Sequence, residues 1–497
     1  MRFRFAFGLC VLLGALSSAP AHGAIAWTES QLYKDDRPGP GNAGPGVGAP
    51  LIADFTADGV NDVLILHWIQ GELHLLRGNG DGTFAPSVDT DLGDTFAPGG
   101  LEELGPLTGA PVALDADPYM DLVVGSVQRV VTLRGSASGQ FTDRTVLPNL
   151  EGAYGMNPLR ANGDPHTDVV SIGSAGMVRI LENQGNGTLS YPHPSPFPSV
   201  GWVADNVGIG DLNGGFDDIV VAQNTLSGGT AAMSVLLADT GSYTQVAGPT
   251  STTAYASSPV VISLTGDAFG DVLVGVHDTV PPSETLGRVH LYAGDGAGGL
   301  SLSSTLLADG DIKHLVAGDF DGDGDEDAMG TAYGIRPDFP ANGRYPSGLN
   351  WFRNDGAGKV SVRPVTPEEP VFKPGFGLAA GDLNGDGWTD FVQSGGVVAT
   401  AYLSHDDTVA PKTKITKAPK GARRALAKPS KVKVKFKTNE PGAWFTCKLD
   451  RKKPKPCRSP YTLRARKGKH KLKVRAEDLA GNKGKPAKLK FRVGRRR

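Results

Sequence analysis

Through the first four hundred residues, apolar side chains fall in short unbroken runs rather than at helical spacing. Val63-Leu-Ile-Leu66, Leu122-Val-Val124, Val169-Val170, Ile219-Val-Val221 and Val272-Leu-Val274 each follow directly on an aspartate. No stretch sustains an apolar period of 3.6 residues, so strands are predicted and helices are not. A second apolar strand follows each run, and then a turn. The turns read Gly78-Asn-Gly-Asp-Gly-Thr-Phe84, Asn183-Gln-Gly-Asn-Gly-Thr-Leu189, Gly294-Asp-Gly-Ala-Gly-Gly-Leu300 and Asn354-Asp-Gly-Ala-Gly-Lys359. Their Asn-Gly and Asp-Gly pairs supply the positive φ values that hairpin turns require. The predicted unit is a β-meander.

The unit repeats. The aspartates ahead of the apolar runs, Asp62, Asp121, Asp168, Asp218, Asp271, Asp327 and Asp390, stand 59, 47, 50, 53, 56 and 63 residues apart. A period near 50 denotes an array, a solenoid or a propeller. Seven units of about four strands predict an all-β fold, a closed seven-bladed β-propeller over residues 27–407, since radial closure removes exposed sheet edges. The ends fit closure. The last unit stops after Ala399-Thr-Ala-Tyr-Leu403 without its outer strand, and Ile25-Ala-Trp-Thr-Glu-Ser-Gln-Leu32 is a strand-like piece ahead of the first loop. That piece is predicted to complete the last blade.

An acidic loop leads into each apolar run. In Asp319-Phe-Asp321-Gly-Asp323-Gly324-Asp325-Glu326-Asp327, carboxylates hold positions 1, 3, 5 and 9 and glycine holds position 6. Alternate side chains point inward, glycine permits the bend, position 7 (Asp325) offers its carbonyl, and position 9 closes the shell. Calcium takes six to eight such oxygens at about 2.3–2.6 Å. Five aspartates and a glutamate in nine residues also repel one another without a cation. The plainer alternative is an acidic surface turn, for which Asp and Gly are common. Asp382, Asn384, Asp386, Trp388 (carbonyl) and Asp390 fill the same positions in a second loop. Asp54, Thr56, Asp58, Val60 (carbonyl) and Asp62 fill them in a third, with a hydroxyl at position 3. Four copies are eroded: Asp115, Asp117 and Asp121 with Ala113 at position 1; Asn162, Asp164 and Asp168 with Arg160 there; Asp211, Asn213 and Asp218, one residue short; and Asp267 and Asp271 after Ser263 and Thr265. These four are read as turns on the same backbone path with little or no metal.

The Asp-x-Asp/Asn-x-Asp-Gly-x-x-Asp loops at 319–327 and 382–390, with the Asn-Gly-Asp-Gly-Thr-Phe turn at 79–84, resemble the FG-GAP repeat of integrin-α-like propellers and the related bacterial VCBS-type repeat. The resemblance covers roughly residues 27–407. It implies a propeller with structural calcium in loops on one face and partners bound elsewhere, adhesion being the commonest role.

Charge divides the chain. Residues 412–497 hold 32 of the 50 Lys+Arg but only four acids, Glu440, Asp450, Glu477 and Asp478, so the near-neutral total of −2 joins a strongly acidic part to a strongly basic one. Such asymmetry predicts interaction. Lys431-Val-Lys-Val-Lys-Phe-Lys437, Lys469-His-Lys-Leu-Lys-Val-Arg475 and Lys488-Leu-Lys-Phe-Arg-Val493 alternate cationic with apolar residues, the period of half-buried strands. They predict a small sandwich at 429–497, after a linker at 408–428. Cys447 and Cys457 are predicted to form a disulfide, as the two cysteines of an exported chain outside its leader. The Ala-Glu-Asp-Leu-Ala-Gly-Asn stretch at 476–482, with its flanking strands, resembles bacterial immunoglobulin-like modules of cell-surface proteins.

Residues 1–26 read as a secretory leader: Arg2 and Arg4, an apolar run from Phe5 to Leu16, then small residues. That run is too short to span a bilayer stably, and no later segment resembles a transmembrane helix. The chain is expected to be secreted or attached at the cell surface. His-Glu-x-x-His, Gly-x-Ser-x-Gly and a phosphate-cradling loop are all absent from the sequence. The expectation is therefore a calcium-binding, non-catalytic binding or adhesion propeller with an extracellular protein or glycan ligand. Its basic domain is expected to hold anionic cell-envelope polymer, ahead of nucleic acid because the chain is exported. A carbohydrate-active enzyme using a propeller face and a purely structural envelope protein are the alternatives. Candidate ligand loops are the Pro/Gly-rich insertions 91–111, 191–206, 279–287 and 333–348, with Tyr333, Tyr345 and Trp202 as candidate stacking residues, core packing being the favoured role for Trp202.

Overall fold

The structure, a computed structural model, describes residues 24–34, 46–68, 71–92, 108–126, 129–148, 150, 152–173, 177–191, 202–203, 207–224, 231–239, 242–251, 254–255, 259–267, 269–277, 287–308, 310–333, 348–365, 377–395, 398–407, 410–418, 430–439, 444–465, 468–477 and 483–493. The leader up to residue 23, most of 408–428, the bulk of the four candidate ligand loops with Tyr345, and 478–482 lie outside the described residues. Of Trp202 and Tyr333 only the backbone is described. Every regular element among the described residues is a strand.

Among the described residues, seven antiparallel sheets follow one another along the chain. Their innermost strands are Val47–Ala53, Thr108–Val112, Ala153–Leu159, Gly208–Gly210, Val260–Ile262, Asp311–Gly318 and Gly377–Gly381. Their second strands, each opening on one of the seven aspartates, are Asp62–His67, Asp121–Gly125, Asp168–Gly173, Asp218–Asn224, Asp271–His277, Asp327–Tyr333 and Asp390–Gly395. Each innermost strand lies against that of the next sheet, and the seventh lies against the first, so the order is cyclic. This is the arrangement of a β-propeller.

The short apolar runs are explained by what covers them. Neighbouring sheets share a core, so both faces of every second strand are buried. Val63 and Ile65 pack with Val392 and Ala401 of the seventh sheet, while Leu64 and Leu66 pack with Leu122 and Val124 of the second. Val123 in turn faces Val169 and Leu181 of the third. A strand buried on both sides carries no alternation.

The last sheet is completed from the other end of the chain. Ala24–Lys34 pairs antiparallel with Val398–Asp407, Ala24 opposite Asp407 and Lys34 opposite Val398. Pairing thus begins inside the segment read as leader. Trp27 on this strand meets Trp351 edge-on at 5.5 Å and Phe391 at 6.3 Å, tying the closing strand into the core between the sixth and seventh sheets.

Beyond residue 410 two further sheets share one core. Lys414–Lys417, Ser430–Lys437 and Tyr461–Ala465 form one, and Lys455–Cys457, Trp444–Leu449, Gly468–Glu477 and Ala487–Val493 form the other. Lys414–Lys417 lies within the stretch read as linker, yet its Lys414, Ile415 and Lys417 pair with Ser430–Lys437. Val432, Val434, Phe436 and Leu463 face Leu472, Val474 and Phe491 across the core, with the Cys447–Cys457 disulfide among them.

Deleting residues 27–34 should destabilise the whole wheel, because it removes Trp27 and leaves Val398–Asp407 as an open edge. Each kcal/mol lost moves Tm by about 2–4 °C for domains of 150–250 residues, so a fall of several degrees is expected by calorimetry. A truncated chain melting with the full-length one would show the strand to be dispensable.

Candidate metal centre

The seven aspartates that open the second strands are all fully buried. Such carboxylates need replacement for their lost hydration, and here the backbone supplies it from two directions. Asp62 accepts the N–H of Phe55 at 3.0 Å and of Thr56 at 3.2 Å on one oxygen, and the N–H of Gly78 at 2.9 Å on the other. The first two donors belong to its own loop and the third lies beyond the third strand. Asp168 repeats this with Ala161 and Asn183, Asp218 with Leu212 and Ala238, Asp271 with Leu264 and Gly294, and Asp390 with Leu383 and Ser404. Each staples its loop to the far end of its own sheet. Asp327 departs from the pattern, taking Asn354 N–H at 2.7 Å and the indole Nε1 of buried Trp351 at 3.0 Å. Burial pushes the Asp168 carboxyl up to about 6 and that of Asp390 up to about 7. Burial together with the charge of Asp321 pushes Asp327 up to about 8.

In the loop at 319–327 the structure brings Asp319, Asp321 and Asp323 together, with one carboxylate oxygen from each within 4.8 Å of the others. Asp319 accepts Gly324 N–H at 3.0 Å and Asp323 accepts Asp325 N–H at 3.1 Å. Asp321 is 2% exposed and bonds Arg353, whose guanidinium also reaches Asp323 at 3.2 Å. Oδ1 of Asp319 and Oδ1 of Asp321 are buried and have no hydrogen-bond partner. Burial raises the Asp321 carboxyl even though Arg353 opposes it. Two orphaned carboxylate oxygens in an all-oxygen set are what a hard divalent cation satisfies, so these residues fit a metal ion. The side chain of Asp325 lies against Gly356 of the hairpin turn, and Asp327 stands apart on its staple bonds.

The other two loops follow the same path. Gly59, Gly324 and Gly387 at position 6 have φ of 84°, 89° and 87°, the left-handed region that favours glycine, and Ala57 enters it at position 4 with φ 58°. Asp382 accepts N–H groups of Gly385 and Gly387 at 2.7 and 2.9 Å, while Asn384 donates to Asp386 at 2.9 Å. Asp54 accepts Asp58 and Gly59 at 3.1 and 2.9 Å, and Asp58 is exposed. Val60 lies beside Gly78, and the indole of Trp388 crosses Gly322 of the preceding loop so closely that a Cβ there would collide with it.

Sequence reading did not reveal how the loops join. The position-1 carbonyl of one loop accepts a hydrogen bond from the next sheet: Ala113 from Asn183, Arg160 from Asp217, Ser263 from Asn354, Asp319 from Thr389 and Asp382 from Asn61. Nor did it reveal the arginines. Arg134 bonds Asp115 at 3.1 Å and Asp121 at 3.0 Å and donates to the Gly187 carbonyl of the third sheet, while Arg160 grips Asp217 of the fourth at 3.0 Å. Two eroded loops thus carry a guanidinium from the chain itself. Aligning the units on their staple aspartates exposes part of this, since Arg77, Arg134 and Arg353 all precede the residue whose N–H the staple accepts.

Residues 161–221 match the model of the FG-GAP-like repeat family. With the repeated four-stranded sheets, this makes the chain a β-propeller protein carrying an FG-GAP-like repeat. The match falls on eroded copies rather than on the most acidic loop. No protein of curated function matches the chain. Among solved structures it is similar to a lectin of Agrocybe aegerita described as recognising non-reducing terminal N-acetylglucosamine, at 18% identity over 71% of this chain and 87% of that one, with a TM-score of 0.43. It is also similar to a fungal alcohol oxidase of the AA5 family in complex with copper, at 12% identity over 94% and 99%, with a TM-score of 0.42. At these values neither likeness assigns a ligand or a reaction.

The staples generate two predictions. Asp168→Ala leaves the N–H groups of Ala161 and Asn183 without acceptors, and at about 1–3 kcal/mol per unsatisfied donor it should cost about 2–6 kcal/mol in chemical denaturation. The carboxyls of Asp62, Asp168, Asp218, Asp327 and Asp390 are raised by burial above an unfolded value of about 3.9, so protonation of these five stabilises the fold. That contribution is fully present below pH 4 and is lost as pH rises through about 6 to 8. In chelator the protein should therefore melt higher at pH 5 than at pH 8, and a Tm rising steadily over that range would contradict it.

Proposed function

We propose that the protein is a secreted, non-catalytic binding module. In this reading a seven-bladed propeller at 27–407 is stabilised by calcium in loops 319–327, 382–390 and 54–62. A basic immunoglobulin-like domain at 429–497 holds anionic cell-envelope polymer, and a propeller surface takes a protein or glycan ligand. The observation that carries the metal is the pair of partnerless buried oxygens on Asp319 and Asp321. Carboxylate, amide, hydroxyl and carbonyl oxygens in an irregular nine-residue loop suit calcium, which tolerates irregular shells of six to eight, better than magnesium, which demands a near-ideal octahedron. When bound, the ion would neutralise the loop and replace the protons that burial favours. The Cys447–Cys457 disulfide fits an extracellular location, and no helix among the described residues is long and apolar enough to cross a membrane.

Calcium at a hundredfold excess over Kd should stabilise the fold by about 2.7 kcal/mol per site. Asp323→Ala should remove most of the gain at its loop, read as a smaller calcium-dependent rise in Tm. A Tm indifferent to both calcium and chelator would refute the metal reading.

A further inference from the structure

We propose that the C-terminal sandwich binds polyanion on both of its outer faces, so that one chain bridges two anionic strands; this rests on the polyanion reading above and deepens it. On the four-stranded sheet, Lys469 lies opposite Arg492, Lys471 opposite Lys490, and Lys473 opposite both Lys488 and Lys448. These residues alternate with buried Leu472, Val474 and Phe491, so the cations share the outward face. The other sheet repeats the device. Lys435 lies opposite Lys417 and Lys437 opposite Lys414, while Val432, Val434 and Phe436 point into the core.

Like charges directly opposite, with Cβ atoms about 4.5–5.5 Å apart, destabilise a sheet. An ordinary solvated face mixes signs instead. Among the described residues the ion pairs of this module are His470–Asp450 and Lys483–Glu477, and neither relieves these rows. Along each strand the cations recur about every 6.6–6.8 Å, and across strands about every 4.8 Å. The faces are therefore regularly spaced cationic rows, matched to a linear polymer with a negative charge on each repeat.

The occupant follows from the count of faces. A membrane surface, or the chain's own acidic propeller, covers one side of a sandwich and leaves the other repelling itself. Separate polymer strands can neutralise both. Among the described side chains, Phe436 and Phe491 lie in the core, so the charge of these rows is not accompanied there by aromatic platforms of the kind that stack nucleic-acid bases.

The test titrates ten-residue poly-L-glutamate into the full chain by calorimetry at low salt. Two oligomers per chain are expected, one after Lys→Gln substitution of Lys471, Lys473, Lys488 and Lys490, and likewise one after substitution of Lys433, Lys435 and Lys437. Both variants should melt above the parent chain when no polyanion is present, which also verifies that they fold. Longer poly-L-glutamate should cross-link the parent chain into turbid assemblies and either variant far less. A single oligomer on the parent chain, or one variant abolishing all binding, overturns the two-face inference and leaves the polyanion reading standing. Phosphatidylglycerol vesicles retained through one face alone would overturn it in favour of a membrane. Absence of salt-sensitive binding by the parent chain would overturn the polyanion reading itself.

Discussion

A carboxylate withdrawn from water loses several kcal/mol of solvation unless hydrogen bonds or a cation replace it. This chain buries one at the same point of seven successive sheets and, in all but the sixth, meets the cost with main-chain N–H groups drawn from both ends of a sheet. Hydrogen bonds to a charged acceptor are stronger than neutral ones. Each aspartate therefore fixes where its loop begins relative to where the third strand ends. The loops then hand hydrogen bonds to one another around one face. Remove the aspartate side chain and neither the path of the loop nor its seat on the neighbour is defined.

The units have diverged in how they settle the charge that remains. In the second sheet Arg134 lies across Asp115 and Asp121, and Arg160 spans from the third loop to the fourth. In the fifth, Thr265 donates both its N–H and its hydroxyl to Asp271. The loops that keep an acid at positions 1 and 5, with an acid, amide or hydroxyl at position 3, belong to the sixth, seventh and first sheets. These are consecutive around the wheel and straddle the one sheet built from both chain ends. Sheets linked through continuous chain manage with internal donors, while the external cation is proposed where closure is non-covalent.

Much of the fold could be read in the sequence because the signal was local. The aspartate spacing gave the repeat, and the missing outer strand after Leu403 predicted the strand that Ala24–Lys34 provides. The loop residues of the site were legible for the same reason. What was not legible arrives from far along the chain. Asp327 owes its environment to Trp351 and Asn354, and Asp321 owes its cation to Arg353, each more than twenty residues away. Position 9 looks in sequence like one more inward-facing ligand. Only the register of the third strand reveals the backbone donors waiting there. The short Lys414–Lys417 strand was missed because four residues give too little alternation to distinguish from linker.

The pairing of Ala24 with Asp407 also sets an order in time. A ribosome releases the chain from its first residue, so the strand that completes the ring is the earliest made and its partner among the latest. Until Asp407 emerges, six sheets can form in sequence while the opening strand stays without its mate and the growing end presents a raw hydrogen-bonding edge. Two such edges on neighbouring unfinished chains offer each other the same unpaired hydrogen-bonding groups. Maturation of the wheel is therefore a competition between joining its own ends and joining a neighbour's, and a higher local density of unclosed chains favours the wrong partner.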